Sequence, residues 1–375
     1  MRIYLDNNAT TPLHPAVLEA LGNSLRDVFG NASSIHKEGQ AARRGIEDAR
    51  ESVARLIAAE ARDIIFTSGG TESNNAAIFG AVGHDGRHHI VTTAIEHPSV
   101  LEPMAELERR GHALTVVPPS RSGAVEADAV LAALRPDTRL VAMMLANNET
   151  GVLQPVADVA RVCRARSIHF HCDAVQGAGK VDIDVSALGV DTLALSAHKL
   201  HAPKGTGALY VRRGLGLDRH MLGGAQERRR RAGTENVPLA VAFGVAAEIA
   251  RDRVDVGALR DALEGELRAA GIPIVINGAE VPRIPNTSSI TFRGADAEGI
   301  VIGLDLSGVA VSTGSACSSG RVEPSHVLLA MGLTADEARS TVRFSLSRFS
   351  TADEVGRTVA LLREIVPRCM SAKET

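Results

Sequence analysis

Short apolar runs alternate with longer amphipathic segments between about residues 60 and 211. The apolar runs predict seven strands, in DIIFTS, HHIVTT, ALTVVP, RLVAMML, SIHFHCD, DTLALS and GALYV. Helices are predicted between them, at 72–83, 99–110, 126–134 and 156–166. Strands that alternate with helices favour a mainly parallel sheet covered on both faces. Ligands bind at the carboxyl ends of the strands of such sheets, so a site is expected there.

A smaller second unit is predicted in the last third of the chain. Residues 235–270 have a helical pattern, and from about 272 the chain gives a strand, a helix, a strand and a final helix near 351–366. We therefore expect a large domain over residues 15–250 and a small α+β domain over residues 251–375. The segment 1–14 is expected to return and join the small domain.

The composition is that of an ordinary globular protein, with 45% apolar and 23% charged residues among 375. A net charge of −3 gives no reason to expect nucleic acid or an anionic membrane as a partner. The start, MRIYLDNNATTP, lacks a signal-peptide pattern, and no apolar run approaches the ~20 residues of a membrane span. Four cysteines do not make a disulfide framework in so long a chain, so a cytoplasmic location is expected.

The segment LALSAHKLHAPKG contains the most specific chemistry in the chain. Lys199 directly follows an apolar strand and is flanked by Ser196 and His198. A lysine at a strand end, beside hydroxyl and imidazole donors, is the arrangement needed to hold an aldehyde cofactor as a Schiff base. Lys204, in the Pro/Gly turn APKGTG, is the alternative. Lys199 is favoured because it follows the strand and has polar neighbours.

Two further segments fit the same cofactor. FHCDAVQ ends a strand in Asp173, and a carboxylate there needs a cation such as a protonated pyridine ring. FTSGGTESNN turns through Gly69 and Gly70 and enters a helix near Thr71, where free N–H groups could bind a phosphate. Each segment alone is also explained by an ordinary capped turn. Together with Lys199 they indicate pyridoxal phosphate (PLP).

Other polar residues near these strand ends could complete the site. Gln176 could donate a hydrogen bond to the ring hydroxyl oxygen. His97, in TTAIEHPSV, could stack on the ring and transfer protons near neutral pH, although a lone histidine is more often structural. Asn148, in NNETG, is placed to meet the cofactor or a substrate carboxylate.

Cys317 lies in VSTGSACSSG, among small and hydroxyl residues that are typical of a mobile, solvent-reachable loop. A thiol nucleophile needs thiolate character and room to reach its target, and such a loop provides the room. Cys163 and Cys172 fall in a predicted helix and strand, so both are expected to be buried thiols. Cys369 is near the C-terminus and is assigned no role.

Two other patterns are weak. His169, His171 and Cys172 resemble metal ligands, but strand alternation puts Cys172 on the opposite face and the usual spaced ligand pairs are absent, so no metal site is predicted. The run Arg228 to Arg231 is weak evidence for nucleic acid in a nearly neutral chain. A loop at a subunit interface or an anionic ligand is favoured for it.

The ordered motifs resemble those of the cysteine desulfurases of the NifS/IscS type, which are fold-type I PLP enzymes of the class V aminotransferase family. The resemblance extends from YLDNNATT at 4–11 to RFSLSRFS at 343–350. The motifs between them are GNASSIH, FTSGGTESNN, EHPSV, NNETG, DAVQ, SAHK, RRAGTEN and GSACSSG. The resemblance implies an α/β fold with a mainly parallel, mixed seven-stranded sheet in the large domain.

The resemblance also implies residue roles. The catalytic residues would be Cys317, Lys199 and His97, with Cys317 forming a persulfide. The cofactor-binding residues would be Gly70, Thr71, His97, Asn148, Asp173, Gln176, Ser196, His198, Lys199 and Thr234. Thr234 would reach the phosphate of the other subunit of a homodimer. Arg343, assisted by Asn148, would bind the substrate carboxylate.

The implied reaction removes sulfur from L-cysteine, releases L-alanine and passes the sulfur to an iron–sulfur scaffold protein or another acceptor. The alternatives are a selenocysteine lyase or other class V PLP enzyme, and a non-catalytic sulfur carrier with the same fold. Relatives often show HGPKG and GGGQERGRR where this chain has HAPKG and GGAQERRRR. The alanines at 202 and 225 leave the local loop geometry open.

Overall fold

The computed structural model describes residues 2–83, 86–314 and 323–370, which form an α/β protein. Its strands are β1 (Ile3–Tyr4), β2 (Ile64–Thr67), β3 (His89–Thr93), β4 (Ala113–Val117), β5 (Thr138–Met144), β6 (His169–Asp173), β7 (Thr192–Ser196), β8 (Gly207–Val211), β9 (Ile274–Asn277), β10 (Thr287–Phe292), β11 (Val309–Ala310) and β12 (Thr341–Ser345). Its helices are α1 (Pro15–Asp27), α2 (Lys37–Leu56), α3 (Gly70–Val82), α4 (Pro98–Arg109), α5 (Ala127–Ala133), α6 (Val156–Ala165), α7 (Val185–Leu188), α8 (Gln226–Arg229), α9 (Val237–Arg251), α10 (Gly257–Ala269), α11 (Ala297–Leu306), α12 (His326–Ala330), α13 (Ala335–Arg339) and α14 (Ala352–Cys369).

The seven predicted strands form one sheet in the order β2-β8-β7-β6-β5-β3-β4. All neighbours in it are parallel except those of β8, which is antiparallel to both β2 and β7. The predicted mainly parallel, mixed sheet is therefore confirmed. Since β2 runs in the same direction as the parallel strands, its carboxyl end lies at the same edge as those of β3, β5, β6 and β7.

The strands of this sheet are near-continuous apolar runs because both of their faces are covered. Every residue of β6, β7 and β8 is buried, and the side chains of Phe170 and Leu193 are fully enclosed. The four helices predicted between the strands are present as α3 to α6. Helix α3 begins two residues earlier than predicted, at Gly70, so its N-terminus lies at the edge where the site is expected.

A second apolar core lies in the C-terminal part of the chain. It is built on an antiparallel sheet in the order β12-β10-β9, with Ile290 and Phe344 fully buried. The N-terminal segment joins this core through Ile3 and Leu5, and β1 pairs with β11. The predicted helical stretch 235–270 is two helices, α9 and α10.

The domain bounds stay a prediction. Residues of α12, such as Val327 and Leu328, pack into the core of the large sheet rather than into the second core. The two cores are thus linked by segments that cross between them. No helix in the described ranges combines the length and apolar content of a membrane span.

Candidate active site

The residues predicted from separate motifs line one cavity of about 410 Å³ at the carboxyl edge of the large sheet. Those that line it are Gly70, Thr71, His97, Asn148, Asp173, Gln176, Ser196, His198, Lys199 and Arg343. Thr234 is exposed and is not part of this lining. Cys317 lies outside the described residues.

One end of the cavity is rich in hydrogen-bond donors. Helix α3 opens there at Gly70, where a Cβ atom would lie 2.8 Å from Cγ2 of Val175. Burial, together with the positive charges of Lys199 and Lys204, lowers the pKa of His198 to about 4. His198 is therefore a neutral donor near pH 7. A helix N-terminus, hydroxyl groups and a neutral imidazole fit a bound phosphate.

Asp173 lies at the end of β6, and hydrogen bonds fix its carboxylate. Its Oδ2 accepts from Nδ2 of Asn74 at 2.8 Å, and its Oδ1 accepts from the backbone N–H of Val175 at 3.0 Å. Asn74 Oδ1 lies 2.9 Å from His171 Nε2. Burial lowers the pKa of His171 to about 3, so this imidazole is neutral and can donate to Asn74. Sequence reasoning missed Asn74, although it follows Thr71 by one helical turn.

His169 and His171, the two histidines whose spacing resembles that of metal ligands, form hydrogen bonds within the sheet. His169 Nε2 and His171 Nδ1 each lie 2.9 Å from Oγ1 of Thr192. Cys172 is fully buried, and burial raises its pKa well above the ordinary value. Within the part of the chain that the structure describes, no group of three or more His, Cys, Asp or Glu residues is arranged to hold a metal ion.

Lys199 lies in a short 3₁₀ turn that directly follows β7. Its Nζ donates to the backbone oxygens of Asn8 and Ala9, at 2.7 Å for Ala9. Burial, and then the positive charge of Arg343, lower the pKa of Lys199 to about 8. Lys204, by contrast, is exposed and does not line the cavity. The amine of Lys199 is thus deprotonated more readily than an ordinary lysine amine, and Lys199 is the one of the two that lines the cavity.

The N-terminal segment contributes contacts that sequence reasoning missed. Asn8 Nδ2 donates to Thr287 Oγ1 at 2.8 Å and to the backbone oxygen of Asn148 at 3.1 Å. The backbone oxygen of Asn8 accepts from Nε2 of Gln176 at 2.9 Å, as well as from Lys199. In the sequence, Asn8 is marked only by the DNN triplet that follows a short apolar pair. The residues that Asn8 contacts here lie more than a hundred positions away in the chain.

Arg343 lies on β12 and is almost fully buried at the cavity wall. Its Nη2 donates to Asp6 Oδ1 at 2.8 Å and its Nη1 to the backbone oxygen of Asn148 at 3.0 Å. Its Nε has no hydrogen-bond partner among the described residues. A buried guanidinium with spare donors can take up a carboxylate.

His97 caps the N-terminus of α4, where its Nδ1 accepts from the backbone N–H of Ser99 at 3.1 Å. Burial lowers the pKa of His97, although Asp173 acts in the opposite direction. The preceding residue, Glu96, is fully buried, and burial raises its pKa to about 8. Its Oε2 has no partner among the described residues. Glu96 opens the EHPSV motif, but no role was predicted for it from the sequence.

The chain reaches the cavity wall at Gly314, just before the segment 315–322 that contains Cys317. A Cβ atom on Gly314 would lie 3.1 Å from Oε2 of Glu149, and Ser325 beyond the segment donates to the same oxygen. Burial raises the pKa of Glu149. Of the other thiols, Cys163 and Cys172 are buried, as predicted.

The two alanines that replace glycines both have negative φ angles, with −85° at Ala225. Neither position needs glycine. Where relatives often show GGGQERGRR, this chain differs at Ala225 and also at Arg229. Arg229 lies in the left-handed region at φ +64°. Its neighbour Glu227 is buried in a bidentate ion pair with Arg50, at 2.6 and 2.9 Å. Glu227, Arg228 and Arg229 all have positive φ angles, so the run 228–231 begins within a strained turn.

Comparisons with known proteins agree with the motif order. The model of the family described as aminotransferase class-V matches residues 3–358. The cysteine desulfurase IscS of Anaeromyxobacter dehalogenans is 46% identical, over 97% of this chain and 94% of its own length. A solved NifS-like protein superposes with a TM-score of 0.90 at 35% identity, over 98% of this chain and all of its own. A structure described as SspA in complex with cysteine gives a TM-score of 0.84 at 36% identity, covering 94% of this chain and 100% of the other. The resemblance predicted from the sequence is thereby confirmed.

Proposed function

Because this chain belongs to the class-V aminotransferase family, we propose that it is a PLP-dependent cysteine desulfurase. It takes the sulfur of L-cysteine, releases L-alanine and retains the sulfur as a persulfide on Cys317. The observation that supports the proposal most is the amine of Lys199, whose pKa is about 8, in one cavity with the buried carboxylate of Asp173.

The residues present fit PLP at two points, its pyridine nitrogen and its phosphate. Asp173 would pair with the pyridine nitrogen, and its two oxygens are already oriented by Asn74 and Val175. The N-terminus of α3 with Ser196 and the neutral His198 would bind the phosphate. When bound, PLP supplies an electron sink for the α-carbon of an amino acid.

Lys199 would take up a proton beside the cofactor, and His97 would lie against the cofactor ring. With a pKa of about 8, part of the Lys199 population is unprotonated at neutral pH, so its Nζ can take the proton from the substrate α-carbon. Burial also keeps His97 mostly neutral, so its ring can lie against the cofactor without carrying a competing charge.

Arg343 would hold the substrate carboxylate, assisted by Asn148. Its ion pair with Asp6 and its bond to the Asn148 backbone fix the guanidinium plane, and Nη1 and Nη2 each keep a second N–H that can donate. A carboxylate held here would bring the α-carbon of L-cysteine toward Lys199 in the same cavity.

Cys317 would carry the sulfur. Its thiolate attacks the sulfur of the substrate, an S–S bond forms and the Cβ–S bond breaks. The electron pair remains on carbon, which takes up a proton and becomes the methyl group of L-alanine. The persulfide then passes its outer sulfur to an iron–sulfur scaffold or another acceptor.

The proposal includes a cytoplasmic homodimer. Thr234 is exposed and lies away from the cavity of its own chain, so it is free to reach the phosphate site of a second copy.

The test is L-alanine production from L-cysteine by the PLP-loaded protein with a thiol reductant. Wild type and Cys369→Ser should turn over, whereas Cys317→Ser should not, because Cys369 is the matched thiol outside the site. Wild-type turnover by Cys317→Ser would remove Cys317 from the mechanism. Faster release of selenide from selenocysteine, independent of Cys317, would favour a selenocysteine lyase.

A further inference from the structure

Lys180 lies behind the cavity with its amine directed into the protein. Its Nζ donates to Gln176 Oε1 at 2.6 Å and to Asn8 Oδ1 at 3.2 Å. Among the described residues it forms no ion pair with a carboxylate. Burial, with the charges of Lys199 and Arg343, lowers the pKa of Lys180 well below its ordinary value. Burying a lysine amine costs free energy, and the hydrogen bonds to Gln176 and Asn8 offset part of that cost.

The bond to Lys180 determines which way round the Gln176 amide lies. A lysine amine that donates can only meet the carbonyl end of an amide, so the NH₂ end must lie on the other side. One hydrogen of Nε2 goes to the backbone oxygen of Asn8, at 2.9 Å. Gln176 lines the cavity together with Asp173 and Lys199, and the second hydrogen of Nε2 remains for a ligand there.

Asn8 makes the arrangement rigid. Its side-chain oxygen accepts from both Lys180 and Nδ2 of Asn286, the latter at 3.0 Å. Its backbone oxygen accepts from both Gln176 and Lys199. The backbone carbonyl group of Asn8 therefore helps to fix both the orientation of the Gln176 amide and the position of the Lys199 amine.

We propose that Lys180 is a positioning residue that locks the Gln176 amide, so that an N–H group and never the carbonyl oxygen faces the bound cofactor. The inference rests on the proposed function, because the atom that would accept this bond is the ring hydroxyl oxygen of PLP. An N–H donor stabilises the ionised form of that oxygen, whereas an inverted amide would repel it.

The orientation of Gln176 should change the pH at which bound PLP loses its visible absorption. The ionised ring oxygen attracts the proton on the nitrogen that joins PLP to Lys199. A donor from Gln176 weakens this attraction, so it lowers the pH at which the visible absorption of the bound cofactor is lost. Lys180→Met should raise that midpoint by about one pH unit, which is the size of one hydrogen bond to a charged group.

The experiment compares PLP-loaded wild type, Lys180→Met, Gln176→Met and the double variant by absorbance against pH. Each single variant should raise the midpoint, and the double variant should shift no further than Gln176→Met alone, because Lys180 acts through Gln176. Lys37→Met, which changes an exposed lysine at the start of α2, should leave the midpoint where it is. Thermal unfolding of the apoproteins reports separately on folding.

Two results would overturn the assignment. One is an unchanged midpoint in Lys180→Met. The other is an equal shift with and without Gln176, which would mean that Lys180 acts only through its charge. If Lys180→Met does not fold, Gln176→Glu keeps the partner of Lys180 but has no N–H group, and an unchanged midpoint there would equally refute the proposal. A wild type that never develops visible absorption with PLP would instead refute the proposed function.

Discussion

The cavity has two walls of different origin. One wall is the edge of the large sheet, where α3, β6 and β7 present the donors and carboxylate that would hold the cofactor. The other wall comes from the N-terminal segment and β12, where Asp6, Asn8 and Arg343 form bonds to residues far away in sequence. The first wall supplies the groups that would hold the cofactor. The second wall supplies Arg343 for the substrate carboxylate, and its Asn8 accepts hydrogen bonds from Gln176 and Lys199. Cofactor binding and substrate binding thus depend on separate parts of the chain.

The largest effect on stability is expected at the second wall. Asp6→Asn leaves the guanidinium of Arg343 buried without its counter-charge, where the two side chains are 20% and 5% exposed. We expect a loss of about 3 kcal/mol in the free energy of unfolding, measured by urea denaturation. Asp336→Asn, which removes an exposed partner of Arg339, should change it by less than about 0.5 kcal/mol. Equal losses in the two variants would contradict a structural role for this pair.

The next largest effect is expected at the sheet edge. Asn74→Ala removes the donor to Asp173 and leaves Nε2 of His171 without its partner, so we expect a loss of about 2 kcal/mol in the free energy of unfolding. The neighbouring Asn75→Ala removes only an exposed bond to the backbone oxygen of Thr71, and should cost a few tenths of a kcal/mol. PLP affinity should fall only in Asn74→Ala. A similar fall in both variants would show that orientation of Asp173 does not matter.

The two walls meet at Lys199, and pH tests their coupling. Only the unprotonated amine can react with the aldehyde of PLP. With a pKa of about 8, the rate of PLP uptake by the apoprotein should rise about tenfold between pH 7 and pH 9 and then level off. Asp6 opposes the lowering of this pKa, so Asp6→Asn should move the plateau to lower pH. A rate that keeps rising through pH 10 would indicate an ordinary exposed lysine.

The smallest effect is expected outside both walls. Arg229 has a φ angle of +64°, which glycine adopts with less strain, so Arg229→Gly should stabilise the protein by about 1 kcal/mol. Ala225→Gly, at φ −85°, is the matched control and should destabilise it slightly. Thermal unfolding measures both. Destabilisation by Arg229→Gly would mean that the arginine side chain contributes more than the turn costs.

The sequence was most informative at the sheet edge. Lys199 and Asp173 directly follow apolar runs, and parallel strands bring their carboxyl ends to one edge, so local pattern and topology were sufficient to predict that they meet. Asn8, Lys180 and Glu96 were missed because their partners are set by tertiary packing. Asn8 and Glu96 lie in the motifs YLDNNATT and EHPSV, but neither motif shows which residues they contact. The roles of Thr234 and Cys317 stay predictions, since one depends on a second copy and the other lies outside the described residues.

The most direct test of the account is to identify the lysine that binds PLP. Borohydride reduction of the PLP-loaded protein fixes the cofactor to its amine, and peptide mass spectrometry then identifies the modified residue. We expect the modification on Lys199 alone, with Lys180 and Lys204 unmodified. Modification of Lys204 or Lys180, or of none of the three, would contradict it.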